Sequence, residues 1–226
     1  MELQEFSNEF DILYNNIMSN QAPGLNEYEK SVFLTLSQES VVKDLYNGNF
    51  NGTSFDGDEE LKRYLSPLIK DAKIKTYSEG TKIFLNKFKL PDDLLFLIHE
   101  DSYIETIIIE KGEQKNLSKT IPVIPTNYDN LHKTLKNPFR KDSDNRVLRL
   151  DAGNSLVELI SKYPISEYRI KYLSKPAPII LVNLEEYYPN LSINGESEAR
   201  GCSLDSNIHR EILNRAVALA KQNYAV

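Results

Sequence analysis

Few side chains in this 226-residue sequence have the types and the spacing that catalysis or metal binding requires. Its three histidines, His99, His132 and His209, lie far apart, and Cys202 is its one cysteine. Two acidic residues follow His99 and could form an acid–base or metal cluster with it, but such polar runs are more typical of a turn between strands. A nucleophilic Cys202 would need a partner base, and its neighbours have the composition of irregular coil.

The standard motifs for cofactor binding and hydrolysis are also missing. There is no glycine-rich nucleotide loop, no G-x-S-x-G nucleophile motif and no H-E-x-x-H or C-x-x-C pair. The acidic residues at 56–60 lack the spacing of a calcium-binding loop, and helix capping explains them better. We therefore predict no catalytic, cofactor-binding or metal-binding residue and expect a protein that is not an enzyme.

The N-terminal composition and the apolar runs bear on localisation. Residues 1–20 contain four acids and no base, whereas a signal peptide begins with basic residues and continues with an unbroken apolar run. The longest apolar runs, such as Leu94–Ile98 and Pro178–Val182, fall far short of the roughly 20 residues of a membrane-spanning helix. We expect a protein that is made in a cytosol and does not enter a membrane.

Apolar residues at steps of three and four predict helices at both ends of the chain. The first helix covers about residues 3–17. Asn26 and Asp58 are suitable N-caps for later helices, and Ser37 is a further candidate cap between them. A last amphipathic helix begins near Asn207.

After about residue 70 the pattern changes to that of strands. Two β-branched and aromatic runs, Leu94–His99 and Tyr103–Ile109, flank a polar triplet and predict a hairpin. The stretch Tyr168–Leu173 alternates, which places Arg169 and Lys171 on the same side of a strand. These strands predict a β-rich, antiparallel middle.

The predicted fold class is therefore α+β, with the helical N-terminal part and the C-terminal helix packed together. In terms of domains, we expect a helical body of residues 1–69 with the helix at 207–223. Residues 70–206 would form the β-rich domain, with a short helix near 128–136.

Charge is distributed unevenly along the chain. The formal net charge is -6, but residues 1–60 carry 12 acids and two bases, a net of -10. Residues 133–175 carry ten bases and five acids, a net of +5. Two solvated faces would explain this pattern. The alternative is that the acidic end of one copy meets the basic middle of the next, a heterologous contact of the kind that can close into a ring.

Basic residues occur together with aromatic residues at Lys136–Lys141 and again at Tyr168–Lys175. Stacking on bases together with phosphate contacts would make these segments nucleic-acid binding. A loop anchored by Phe139 with solvated cations is the simpler interpretation. The negative net charge argues against a surface that grips DNA along its whole extent.

Several stretches, taken in order, resemble a structural protein of crAss-like bacteriophages, and together they span nearly the whole chain. They are Asn8–Ile17, Gln21–Phe33, Ser40–Tyr46, Phe55–Leu65, Asn137–Arg140, Tyr168–Leu173, Pro176–Leu181 and Ile208–Val217. The resemblance implies a virion protein of the head-to-tail region, a ring or adaptor stacked below the portal through which genomic DNA passes. Such rings are closed homo-oligomers of about twelve copies.

The resemblance also implies partners and a location. The partners would be further copies of the chain, the portal protein and neighbouring ring or tail proteins, with DNA passing through without specific binding. We expect no cofactor, no membrane contact, and a location in the virion after assembly in the host cytoplasm. The candidate interface residues are Glu5, Phe6, Glu9, Phe10, Tyr14, Asn137, Phe139, Arg140, Arg169 and Lys171. The alternatives are a phage-encoded nucleic-acid-binding accessory protein and a small cytosolic enzyme.

Overall fold

Helices at both ends of the chain and strands in its middle give the protein an α+β fold, which confirms the predicted class. The computed structural model describes residues 1–15, 24–49, 55–75, 78–79, 85–110, 113–187 and 190–224. The chain divides into a helical unit, residues 1–68 with 175–226, and a β-rich unit, residues 69–174. Residues 175–206, which the sequence analysis groups with the strands, thus cluster with the helices.

The helix α2 is a single helix in which the sequence predicts a break. The α-helices in chain order are α1 (Leu3–Asn15), α2 (Glu27–Asn47), α3 (Glu59–Leu65), α4 (Tyr128–Lys136), α5 (Leu184–Tyr187) and α6 (His209–Tyr224). Asn26 begins α2 through a reciprocal capping box with Glu29, and Gly48 ends it in the left-handed conformation, φ 76°. Ser37 is not a cap but a buried residue in mid-helix, because no glycine or proline interrupts the run.

The two terminal helices pack together, as predicted, because α6 lies against both α1 and α2. Lys30 ties α1 to α2 and is only 3% exposed. Its ammonium lies 2.7 Å from the Asp11 carboxylate and 2.9 Å from that of Glu27, and it donates to the hydroxyl of Ser7 at 3.2 Å. The predicted end of the first helix, residues 16–17, lies outside the described residues.

An extended segment along α2 explains why residues after 175 belong to the helical unit. Thr35 exchanges two hydrogen bonds with the backbone of Ile179, at 3.1 and 3.2 Å. The amide of Leu181 donates to the hydroxyl of Ser31 at 3.0 Å, and Gln38 donates to a further carbonyl of this segment at 2.7 Å. Polar side chains on one face of a helix thus satisfy the backbone of a strand-like segment that joins no sheet ladder.

The β-rich unit is built on one sheet. Its strands are β1 (Ile69–Ile74), β2 (Ser78–Glu79), β3 (Leu85–Lys89), β4 (Leu94–Glu110), β5 (Glu113–Pro125), β6 (Val147–Gly153), β7 (Leu156–Ile160) and β8 (Glu167–Ser174). Within the described residues their order is β1-β8-β4-β5-β6-β7-β3-β2. All neighbouring pairs are antiparallel except β5 and β6, which run parallel.

The strand β4 is a single long strand, so the predicted turn at residues 100–102 is wrong. The real hairpin joins β4 to β5, in register from Asp101 opposite Pro122 to Glu110 opposite Glu113. The polar triplet remains in the strand because β8 pairs with β4 as far as Tyr103 on its other edge. The hydroxyl of Ser102, for example, is buried and donates to a β5 carbonyl at 3.0 Å.

Alternation in β8 separates the core of the β-rich unit from its outer face. Tyr168, Ile170 and Tyr172 are buried, whereas Arg169 and Lys171 lie on the opposite side, as predicted.

Among the described residues, no helix has the length and apolar character needed to span a membrane.

Candidate interface surfaces

Three aromatic residues predicted to lie at an interface instead fill the core of the helical unit. Phe6, Phe10 and Tyr14 on α1 are at most 1% exposed. Phe6 packs against His209 with ring centroids 5.5 Å apart, and Phe10 packs against Tyr14 at 6.2 Å. This corrects their assignment, because a side chain buried in its own subunit offers no surface to a neighbour.

The opposite face of α1 carries an acidic stripe, which we define as Glu2, Glu5, Glu9 and Ile12. Glu5, Glu9 and Ile12 recur at steps of four and three, so they share one face of α1, and Glu2 directly precedes the helix. Glu5 is exposed, whereas Glu9 forms an ion pair with Arg210 at 3.3 Å within the subunit. Ile12 is 59% exposed, so the stripe has an apolar residue at its end.

Four cations and an exposed phenylalanine lie on α4 and the loop that follows it. We call this group the basic surface and define it as Lys133, Lys136, Phe139, Arg140 and Lys141. Phe139 is 85% exposed, and α4 buries no residue. The sequence analysis expected Phe139 to anchor its loop, but the ring points into solvent.

The loop holds Phe139 outward through hydrogen bonds of its own. The side-chain oxygen of Asn137 accepts from the amide of Phe139 at 2.9 Å, and the Asn137 carbonyl accepts from the amides of Arg140 and Lys141 at 3.0 Å each. Arg146 donates to the Phe139 carbonyl. The exposed ring is therefore fixed by its backbone and does not depend on packing.

A polar pocket of about 540 Å³ lies beside the basic surface. Asn127, Asn130, Lys133 and Thr134 from α4 and its N-cap line it, together with Arg140 from the loop. The two cations and several amides that line this pocket can donate hydrogen bonds, which favours the binding of negatively charged groups.

Arg169 and Lys171, the remaining predicted interface cations, are balanced within the β-rich unit. Arg169 binds the carboxylate of Glu167 at 2.9 Å and lies over the ring of Tyr103, 4.3 Å from its centroid. The Lys171 ammonium lies 3.9 Å from a carboxylate oxygen of Asp71. A role for these two cations at an interface stays a prediction.

The end of the β4–β5 hairpin is an exposed feature that the sequence analysis missed. We call residues 105–110 and 113–119 the hairpin arm, because β8 pairs with β4 only as far as Tyr103 and β6 pairs with β5 only from Val123. Ile107 and Ile109 lie on one face of the arm and are 62% and 77% exposed. Apolar residues exposed side by side in this way are typical of an interaction surface.

A buried polar cluster links three strands of the β-rich unit. Tyr168 donates to the carboxylate of Glu100, and the guanidinium of Arg149 lies 3.0 Å from the same carboxylate. Burial raises the pKa of the Glu100 carboxyl, although the hydrogen bond from Tyr168 and the charge of Arg149 oppose the shift. Burial also raises the pKa of Tyr168, with Glu100 adding to the effect. No sequence pattern pointed to this cluster, because its members are far apart along the chain.

The Cys202 thiol, considered above as a nucleophile, has surroundings that keep it protonated. Burial raises the pKa of the Cys202 thiol to about 11, and the thiol donates to the side chain of Gln38 at 3.2 Å. At neutral pH such a thiol is protonated and is a poor nucleophile. Across the part of the chain that the structure describes, no three His, Cys, Asp or Glu residues converge in a way that could hold a metal ion.

Comparison with known proteins assigns this arrangement to a family of phage structural proteins. The family model described as phage tail ring protein 3/4 matches residues 1–226. Ring protein 3 of Bacteroides phage crAss001 is 40% identical over 226 residues, which covers 97% of this chain and 95% of the relative. Ring protein 4/5 of the same phage is 38% identical over 235 residues, covering 99% and 94%.

Both matches confirm the resemblance to crAss-like phage ring proteins that the ordered motifs indicate, and both extend over nearly the full length of each partner. The similarity therefore includes the helical unit as well as the β-rich unit. The chain belongs to the phage tail ring protein 3/4 family.

Proposed function

We propose that this protein is a structural virion subunit that forms a closed ring in the head-to-tail connector of a crAss-like phage, below the portal. The observation that carries the proposal is the family match over residues 1–226, with two relatives that are named ring proteins. Copies of the subunit, about twelve as the resemblance to crAss-like ring proteins implies, would surround a channel for the genome.

Unlike charges on the N-terminal and middle segments of the chain favour a heterologous ring. A cyclic ring needs two different, complementary faces on each subunit. The net charges of -10 over residues 1–60 and +5 over residues 133–175 supply such a pair. Electrostatic complementarity of this kind steers subunits to the correct partner and opposes like-with-like contacts.

The acidic helical unit suits the wall of a channel that must release DNA. Phosphates are attracted to basic surfaces and repelled by acidic ones. A lining rich in Asp and Glu would let DNA pass without being held. We therefore assign the ring body to the helical unit.

The β-rich unit would contact the portal or the next ring in the stack. Its hairpin arm presents Ile107 and Ile109 to solvent, and a two-stranded ribbon alone in water has little stability of its own. Packing against a neighbouring ring or tail protein would cover these side chains.

This role requires no catalysis, cofactor or membrane, and it places the protein in the virion after assembly in the host cytoplasm. The basic surface favours one second candidate, a nucleic-acid-binding accessory protein. Binding of that kind should weaken steeply as salt is raised. Retention of the purified protein on DNA at about 50 mM salt would favour this candidate, since loose passage requires no affinity.

Electron microscopy and mass spectrometry of purified virions test the proposal directly. We expect the chain in every particle, in stoichiometric copies, as a ring of density between head and tail. Absence of the chain from mature particles would refute the connector role.

A further inference from the structure

We propose that the basic surface of one copy binds the acidic stripe of the next copy. Each subunit would then carry both halves of one repeated contact. The inference rests on the proposed function, because it names the contact through which copies of a ring would join.

The cations of the basic surface are not used inside their own subunit. Within the described residues, none of its four cations forms an ion pair. Neighbouring cations in the same unit do: Lys162 has a carboxylate at 2.8 Å and Arg169 has one at 2.9 Å. A cluster of unpaired cations repels itself, so an acidic partner at this position would be favourable.

The two surfaces also match in their apolar parts. Phe139 stands among the cations, and Ile12 stands at the end of the acidic stripe, 85% and 59% exposed respectively. An aromatic anchor within a charged rim is the usual anatomy of a binding surface, in which the anchor supplies affinity and the rim supplies orientation.

The basic surface is organised before it binds. The hydrogen bonds of Asn137 and Arg146 fix the loop backbone, so few dihedral angles of the loop need to be frozen when a partner arrives. The acidic stripe lies on a helix whose opposite face is packed into a core, and so it is equally rigid. Two preformed surfaces of opposite charge favour a second copy over a flexible partner.

A pair of charge reversals tests the contact. The first variant, Glu2→Lys with Glu5→Lys, makes the stripe basic; the second, Lys133→Glu with Arg140→Glu, makes the basic surface acidic. Each variant alone now carries two surfaces of the same sign. We expect self-association in sedimentation and native mass spectrometry to fall at least about tenfold for each variant, since each loses two charge pairs and gains repulsion.

Mixing the two variants should restore association. The basic stripe of the first variant fits the acidic patch of the second, and the acidic stripe of the second fits the basic surface of the first. An assembly with alternating subunits would result. A chain that carries all four substitutions should also associate with itself, because its two surfaces are again opposite in charge.

A control separates this contact from a general effect of charge. Lys73→Glu with Lys75→Glu makes the same change in net charge as the second variant, at exposed positions on and just after β1. It should leave association unchanged, and circular dichroism should show all variants folded. An equal loss in the control, or no recovery on mixing, would overturn the proposal.

Two further experiments test whether the partner of the basic surface is a second copy of the chain. If Lys133→Glu with Arg140→Glu abolishes DNA retention but leaves association intact, nucleic acid is the partner and the proposal is wrong. For rings that form only on the particle, virions carrying Ile12→Cys and Phe139→Cys should yield a disulfide between copies, and its absence would overturn the contact. Virions that lack the chain would instead refute the proposed function itself.

Discussion

Replacing Phe10 by alanine should destabilise the helical unit far more than the same change at Phe139, although both residues were candidates for the same interface. Phe10 is 0% exposed and packs against Tyr14 within the core. Phe139 is 85% exposed. The pair therefore tests whether exposure, rather than residue type, decides the role of each ring.

The expected magnitude for Phe10→Ala follows from its complete burial. Removal of a buried phenylalanine ring typically costs about 3–5 kcal/mol, made up of lost transfer free energy and the cavity that remains. Helix α1 is held to α2 by the buried Lys30 and packs on α6, so it cannot close the cavity easily. We expect about 4 kcal/mol, which corresponds to a fall of about 16 °C in Tm for a unit of about 120 residues.

For Phe139→Ala we expect a change of at most about 0.5 kcal/mol in the free energy of unfolding, as for exposed sites in general. Its effect should appear in association between copies, where loss of an aromatic anchor costs at least about 1 kcal/mol, roughly fivefold in the association constant.

Hydrogen exchange measured on the amides of α2 and α6 reports the stability of the helical unit without requiring two-state unfolding of the whole chain. Sedimentation of the same samples reports association. A Phe10→Ala protein with unchanged exchange, or a Phe139→Ala protein with strongly increased exchange, would contradict the assignment of core and surface.

Three further changes probe the helical unit. Lys30→Met should lower the free energy of unfolding by about 2 kcal/mol in denaturant titrations, because it leaves two carboxylates without their cation. Adding Asp11→Asn should recover part of this loss. An unchanged free energy of unfolding in Lys30→Met would mean that the ion pairs contribute nothing. Gly48→Ala should lower the free energy of unfolding by about 1 kcal/mol, because Gly48 has a φ of 76° that alanine adopts only with strain. Gly24→Ala is the control and should be neutral, since there is open space around Gly24. Equal Tm values for the two variants would contradict the strain argument. Burial lowers the pKa of His209, although a hydrogen bond to a backbone carbonyl opposes the shift. The unfolded chain therefore binds a proton at His209 more readily than the folded chain does. As a result, the free energy of unfolding should fall as the pH drops below about 6.5. His209→Gln should flatten that fall in Tm measured between pH 7 and 5, and an unchanged slope would assign it to other groups.

Local signals predict the ends of helices well because capping is a local interaction. Asn26 and Asp58 both accept hydrogen bonds from the first turn of their helices, as their positions before apolar runs suggest. Ser37 shows the limit of the signal: a residue type that is also suitable as a cap is buried in mid-helix here, and its own sequence context cannot indicate that.

The course of β4 depends on partners that are distant in sequence. Its polar residues 99–102 look like a turn when taken alone, yet β8 and β5 pair with them on both sides. Polar side chains within this stretch find partners there, as Glu100 does with Tyr168 and Ser102 with β5. Satisfaction by non-local groups is why a turn-like composition forms a strand here.

Some of the candidate interface residues are buried and others are exposed, for a similar reason. The apolar stripe of α1 predicted that one face of the helix would be covered, but not whether its own subunit or a neighbour covers it; α6 provides the cover. The charged residues were easier to place, because an ion is costly to bury without a partner and therefore tends to lie at the surface. Glu5 and Arg140 are accordingly exposed.

Net charge and local charge act in opposite directions on assembly, which is why the total of -6 says little about it. Copies of an acidic protein repel one another at long range, but at physiological salt that repulsion fades beyond about 8 Å. The acidic stripe and the basic surface would act within that distance, where opposite charges attract and the exposed side chains of Ile12 and Phe139 exclude water. The net charge of the whole sequence averages these two surfaces into a modest negative number, whereas the fold places them on separate units as two surfaces of opposite charge. Under the proposed contact, such a subunit repels its copies at long range and is complementary to them at short range.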